Sequence, residues 1–251
     1  MENEGHPPGR LVVVATPIGN LEDLSPRAAR ALAEADLVAS EDTRHTGRLL
    51  AHLGLKRPLL SLHEHNERQR LPQLLDRLSG GATIALVSDA GTPLVSDPGY
   101  VLVRAAIAAG FRVEPIPGPS AVLAALVASG LPPCPFTFAG FPPPKSGRRR
   151  SFSRRLAELG HTVVLFESPH RLLASLADAL AELGDRPAAI GRELTKLHEE
   201  ILRGPLAALR DELAARPSLK GEFVLVIGGS ADAQATSGEE IQQPPSSREP
   251  E

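Results

Sequence analysis

Five short apolar runs, Leu11–Ala15, Leu37–Ala39, Leu59–Leu62, Ile84–Val87 and Val113–Ile116, alternate with helix-length segments across the first half of the 251-residue chain. Strands without a polar side are stable only where helices cover both faces of their sheet. The alternation therefore predicts an α/β domain with a mainly parallel, five-stranded sheet. The intervening helices are predicted from Ser25-Pro26 to about Ala35, over Thr43–Leu53, over Glu67–Leu78, over Pro98–Ala109 and over Ser120–Ser129. Asp97 is the expected N-cap of the fourth, with Pro98 at its first position. Pro72 is expected to shorten or kink the third.

The proline-rich joint Gly130-Leu131-Pro132-Pro133 divides the chain into a polar start (1–10), an N-terminal α/β domain (11–130), a C-terminal α/β domain (131–229) and a tail (230–251). The second domain is predicted to have strands at Phe136–Ala139, Thr162–Phe166, Ala188–Leu194 and Glu222–Ile227. Its helices are expected near Arg154–Leu159, from Ser168-Pro169 to Leu183 and over Pro205–Ala214. Leu197–Leu202 reads as an antiparallel strand, which makes the second sheet mixed. The cleft between two such domains is the expected ligand site. The tail carries Asp232, Glu239, Glu240, Glu249 and Glu251 against Arg248, with Ile241 its one large apolar residue. Such a composition cannot offset its ordering entropy and predicts disorder. Without the tail the chain is nearly neutral, so charge arguments must rest on local patches. No apolar run approaches a membrane span, and residues 1–10 lack a signal-peptide core, which favours the cytoplasm. The single cysteine, Cys134, excludes an internal disulfide and a cysteine metal site.

Three of the strands run into loops of small residues and prolines: Thr16-Pro17-Ile18-Gly19-Asn20, Ser88-Asp89-Ala90-Gly91-Thr92-Pro93 through Gly99, and Pro117-Gly118-Pro119-Ser120. Ligands of open α/β sheets bind at such strand ends, where fixed, open backbone allows close approach. Residues 16–24, 88–99 and 116–120 contain no Lys or Arg, whereas a polyphosphate cradle couples its glycines to a cation. Their charges are Glu22, Asp23, Asp89 and Asp97. The set suits a ligand that is neutral or cationic at the loops and rich in hydroxyls. S-adenosylmethionine, with its sulfonium, ammonium and ribose diol, fits.

Other polar groups also cluster at predicted strand ends. Ser40-Glu41-Asp42-Thr43-Arg44-His45 opens a helix, and capping by Asp42 or Thr43 explains its acids but not Arg44 and His45. His63-Glu64-His65 has the wrong spacing for a helical zinc pair, so no metal site is expected. Residues 145–155 hold six basic side chains, Lys145, Arg148, Arg149, Arg150, Arg154 and Arg155, and no acid. This reads as a loop, an arm behind Pro142–Pro144, that contacts nucleic-acid phosphates. Phe166-Glu167-Ser168-Pro169-His170-Arg171 and Arg192-Glu193-Leu194-Thr195-Lys196 complete the set, with Ser168 an expected N-cap.

Thr16–Leu21, Ser40–Arg44, Asp89–Pro93 with Ser96–Gly99, Pro117–Ala121, Phe138–Pro142, Glu167–Arg171 and Arg192–Lys196 occur in this order over residues 10–229. In them the chain resembles the class III, tetrapyrrole-methylase-like S-adenosylmethionine methyltransferases. Within that class it is similar to the ribosomal RNA branch, which methylates a cytidine 2′-hydroxyl in the decoding region of 16S rRNA. The resemblance implies two α/β domains with the cofactor in the cleft between them, a homodimer, and 16S rRNA or the small subunit as partner. It places Pro17, Ile18, Gly19, Asp89, Ala90, Gly91, Thr92, Val95, Ser120, Ala121 and, from the second domain, Phe166 against the cofactor. Glu193 and Asp42 are then the candidate proton acceptors, with Lys196, Arg44 and His170 orienting ribose or phosphate. Tetrapyrrole methylases usually carry Gly-Asp-Pro where this chain has Gly91-Thr92-Pro93, a departure that argues against a porphyrin substrate. A tetrapyrrole carbon methyltransferase and a non-catalytic RNA-binding module are the alternatives.

Overall fold

The computed structural model describes residues 9–230; the predicted disordered tail lies outside the described residues except at its start. Contacts group the chain through Ala124 with Arg192–Glu200 as one compact unit, and Ala125–Gly191 with the chain from Ile201 as another.

In the first unit β1 (Arg10–Val14), β2 (Leu37–Ser40), β3 (Leu59–Ser61), β4 (Thr83–Val87) and β5 (Arg112–Ile116) form one sheet in the order β3-β2-β4-β1-β5. Every neighbouring pair is parallel. The helices of this unit are α1 (Pro26–Glu34), α2 (Thr43–His52), α3 (Glu67–Ser79) and α4 (Tyr100–Ala108); the division between the units falls within the next helix, α5 (Ala121–Ser129). Crossovers from β1 to β2 to β3 move one way along the sheet, and those from β3 to β4 to β5 move the other. Right-handed crossovers of opposite direction leave their helices on opposite faces. Accordingly Ala28, Leu32, Leu49 and Leu50 of α1 and α2 share one core. Leu74, Leu78, Leu102 and Ala106 of α3 and α4 share the other. β4 stands at the reversal, and its carboxyl end borders a crevice on each side.

In this unit the start of α4 differs from expectation. α4 begins at Tyr100, after Gly99 at φ 120°, so Asp97 is not its N-cap. The cap comes from another helix: the buried Glu67 carboxylate accepts the Leu102 N–H at 3.0 Å. α3 continues through Pro72 to Ser79, because Leu74 and Leu78 beyond the proline are fully buried.

In the second unit β6 (Phe136–Phe138), β7 (Thr162–Glu167), β8 (Pro187–Arg192), β9 (Glu200–Pro205) and β10 (Phe223–Ile227) are ordered β6-β7-β10-β8-β9. β6 runs parallel and β10 antiparallel to β7, so the sheet is mixed. Leu172, Leu176, Leu206, Leu213 and Phe223 centre its core. The helices are α6 (Ser146–Ala157), α7 (Leu172–Leu183) and α8 (Leu206–Ala214).

The basic run expected as a loop is therefore helix α6. Charge holds it there. Arg149 is buried and pairs with Asp178 at 2.7 Å, while Arg150 and Arg154 pair with Glu182 at 2.6 and 3.0 Å, both acids lying on α7. α7 starts at Leu172, and Ser168 is not its cap. The buried Glu167 carboxylate accepts the Ser168 N–H at 2.7 Å, the Arg171 guanidinium at 3.0 Å and the Ser175 hydroxyl, which holds 168–171 as a turn. The buried Arg186 donates to the Leu183, Gly228 and Ala157 carbonyls, tying together the C-terminal ends of α7, β10 and α6. No helix of the described residues is long and apolar enough to cross a membrane.

Candidate functional site

At the carboxyl end of the first sheet the loops are bonded to one another through main-chain atoms. Thr16 and Gly91 exchange N–H···O bonds of 2.9 and 3.0 Å. The Thr16 hydroxyl donates to the Ser88 carbonyl at 3.2 Å, and the Thr92 hydroxyl to the Pro119 carbonyl at 3.2 Å. Gly91 adopts φ 79°, and a Cβ there would lie 3.3 Å from Ile18 Cγ2. A Cβ on Gly118 would lie 2.9 Å from that of Ala15. The loop after β4 also holds Leu94 at φ 72° and Ser96 at φ 70°, a backbone region that side chains disfavour and that concentrates at functional sites. The structure thus brings Pro17, Ile18, Gly19, Asp89, Ala90, Gly91 and Thr92 to one strand-end region, with Ser120 and Ala121 next to Pro119.

The electrostatics of this region are set by carboxylates. Asp89 Oδ1 accepts the Asp42 N–H at 3.0 Å, joining the loop after β4 to the start of α2. Burial pushes the Asp97 carboxyl up to about 6, with Ser88 opposing and the charges of Glu41 and Asp89 reinforcing the shift. Glu41 is also raised, by burial first and then by Asp89 and Glu64. Asp42 caps α2 and takes two further bonds from the Arg44 guanidinium, which hold it well below the usual carboxylate range. A carboxylate so stabilised is a weak proton acceptor. The upward pKa shifts of Asp97 and Glu41 escaped the sequence reading, which had assigned Asp97 to a helix cap. Its one sequence signal was an acid among small residues at a strand end.

His63 adjoins this group. Its Nε2 faces the Asn66 Nδ2 donor at 3.0 Å, while the Asn66 Oδ1 accepts the His63 N–H. The His63 Nδ1 is buried and has no hydrogen-bond partner among the described residues. Among the described residues no set of three metal-ligating side chains converges.

The segment between β8 and β9 is a strained loop, not the strand continuation expected at Leu194 and Leu197. Glu193 and Thr195 have φ 49° and 65°. Glu193 pairs with Lys196 at 2.9 Å, and Glu199 accepts the Thr195 N–H at 2.6 Å. The loop lies against Gly19, where any Cβ would overlap Lys196 Cγ and come within 2.9 Å of Thr195 Oγ1.

In the second unit Phe166 packs against Phe138 and Phe141, with centroids 4.9 and 5.5 Å apart. His170 is exposed. Of the basic residues, Lys145, Arg148 and Arg155 are exposed and have no ion pair among the described residues, Arg150 and Arg154 are exposed but paired, and Arg149 is withdrawn from solvent. Arg149 is thus not available as a surface phosphate contact.

Residues 10–210 match the family described as Tetrapyrrole (Corrin/Porphyrin) Methylases. Ribosomal RNA small subunit methyltransferase I of Xylella fastidiosa is 51% identical over 239 residues, covering 93% of this chain and 88% of that protein. That of Pseudomonas aeruginosa is 51% identical over 234 residues, covering 92% and 82%. Among solved structures, uroporphyrin-III C-methyltransferase of Thermus thermophilus complexed with S-adenyl homocysteine superposes with a TM-score of 0.62 at 20% identity, covering 88% of this chain and 97% of that one. Diphthine synthase gives 0.65 at 18%, covering 87% and 89%. The architecture, the loop motifs and the extent of these matches together place the chain in the tetrapyrrole (corrin/porphyrin) methylase family, among the relatives named ribosomal RNA small subunit methyltransferase I.

Proposed function

We propose that the protein is an S-adenosylmethionine-dependent methyltransferase of 16S rRNA, acting on the 2′-hydroxyl of a cytidine in the decoding region. The observation that carries the reading is the set of backbone-bonded, cation-free loops at the carboxyl ends of β1, β4 and β5. Relatives at half identity supply the substrate class, and the Thermus thermophilus neighbour's S-adenyl homocysteine supports the cofactor. The residues fit that cofactor: Gly91 and Gly118 let the loops approach one another closely, a Cβ at either meeting Ile18 or Ala15, and loops that carry acids without Lys or Arg favour a sulfonium and an ammonium. Pro17, Ile18, Gly19, Asp89, Ala90, Gly91, Thr92, Val95, Ser120, Ala121 and Phe166 are the residues assigned to it.

When bound, S-adenosylmethionine supplies an electrophilic methyl group. The chain's task is to align a ribose hydroxyl with it, and alignment alone can contribute up to roughly 7–11 kcal/mol. Lys196, Arg44 and His170 are assigned to ribose and phosphate. Glu193 and Asp42 are the candidate acceptors of the hydroxyl proton, each beside a cation, Lys196 at 2.9 Å and Arg44 at 2.8 Å, and Arg44 weakens Asp42 as a base. If Glu193→Gln and Asp42→Asn both kept wild-type turnover at saturating substrates, neither would be the base.

The exposed apolar Leu123 and Val127, one turn apart on α5, support a homodimer. The cytoplasm follows as the working compartment of an rRNA-modifying enzyme. The test is calorimetric titration of wild type and Gly91→Arg with S-adenosylmethionine, followed by methyl transfer to small-subunit RNA with the modified nucleotide mapped. Binding lost in the variant and a 2′-O-methyl cytidine in the decoding region are expected. Methylation of a tetrapyrrole with none on RNA would overturn the reading, as would RNA binding without any cofactor binding.

A further inference from the structure

The chain has a second acid-free basic stretch. From Thr43 through Ser61 there is no Asp or Glu, while Arg44, His45, Arg48, His52, Lys56 and Arg57 all occur. In the structure α2 buries Thr46, Leu49 and Leu50 and exposes these six side chains on its outer surface and in the turn that follows. Arg44 is paired, with Asp42. Among the described residues Arg48, Lys56 and Arg57 have no ion pair. The contrast with α6 matters, because three of its arginines are bound to Asp178 and Glu182. Like charges four residues apart, such as Arg44 and Arg48, weaken a helix. An external polyanion would offset that cost. The surface also leads directly to the site, since the N-cap of α2 is the residue whose N–H is bound by Asp89.

We propose that α2 and the turn after it form a phosphate-tracking surface that guides the RNA backbone toward the strand-end loops, principally through Arg48, Lys56 and Arg57. The helix supplies a track of about 15 Å. This inference rests on the RNA-methylating reading. It differs in assigning a major electrostatic contact to residues of the first unit other than the basic run at 145–155.

The experiment measures fluorescence anisotropy of a labelled small-subunit rRNA fragment over a range of salt concentrations. The proteins are wild type, Arg48→Glu/Arg57→Glu, and Arg77→Glu/Arg104→Glu as a charge-matched control on α3 and α4, across the sheet. The α2 variant is expected to bind at least tenfold more weakly. Its dependence of log K on log salt should be shallower by about 1.5–2, as for the loss of two phosphate contacts. The control should keep affinity within about threefold. Arg48→Gln/Arg57→Gln, with a smaller loss in the same direction, guards against misfolding of the reversed variant. Wild-type affinity and slope in both α2 variants would overturn the proposal and leave the RNA reading standing. Absence of salt-dependent RNA binding by wild type would overturn both.

Discussion

The Asp89 carboxylate accepts the backbone N–H of Asp42 at 3.0 Å, although 47 residues separate the two. One side chain thereby joins the loops at the ends of β2 and β4, on adjacent strands of the sheet. An asparagine can make the same bond through its amide oxygen and an alanine cannot. Asp89→Asn should therefore keep S-adenosylmethionine affinity within severalfold of wild type, whereas Asp89→Ala should lose tenfold or more. Titration calorimetry of both variants checks this.

Asp97 gives the protein a pH signature. Its carboxyl is raised from 3.8 to about 6 by burial, so between those values the folded state binds more protons than the unfolded one. Stability contributed by the neutral acid is complete below about pH 4 and is lost as pH rises through 6. Asp97→Asn should raise stability at pH 7 by roughly 1–3 kcal/mol relative to wild type and have little effect at pH 4. Urea midpoints at the two pH values measure it.

Gly19 is the contact point for the loop that carries Glu193 and Lys196. Gly19→Ala would displace that loop, not a core side chain. Methyl transfer should fall by more than tenfold, with the melting temperature lowered by only a few degrees. Turnover assays beside thermal denaturation separate the two effects.

Arg148 and Arg149 are sequence neighbours with opposite roles. Arg149→Ala leaves Asp178, itself only 15% exposed, without its cation and should destabilise the protein by about 3–5 kcal/mol. Arg148→Ala should leave stability within about 0.5 kcal/mol and weaken RNA binding instead. Denaturant unfolding and RNA titration of the pair give the comparison.

The strands were legible because their apolar runs have few competing readings, and the strand-end loops because glycine and proline mark them. Helix starts were less so. An N-cap was read from local sequence at Asp97 and Ser168, but the groups that organise those turns, Glu67 and Glu167, act through tertiary contacts. The basic run looked like a loop because its counter-charges, Asp178 and Glu182, lie some thirty residues downstream. The shifted acidities of Asp97 and Glu41 depend on burial and on neighbours from several loops, which no linear pattern encodes.

The reciprocal bonds between Thr16 and Gly91 and the bond from Thr92 to the Pro119 carbonyl bear on how this site would respond to mutation. An alanine scan would misreport the Thr16–Gly91 pair, because truncating Thr16 leaves its peptide group in place and alanine at Gly91 tests an added Cβ at φ 79°, not the peptide bonds. The informative changes are those to chain torsion and peptide hydrogen-bonding capacity: proline at position 16, a branched residue at 91, or an ester in place of the amide that donates from either residue. A library built on side-chain chemistry alone would rank the framework of the site as tolerant, and the few backbone-altering substitutions would appear as isolated points of failure.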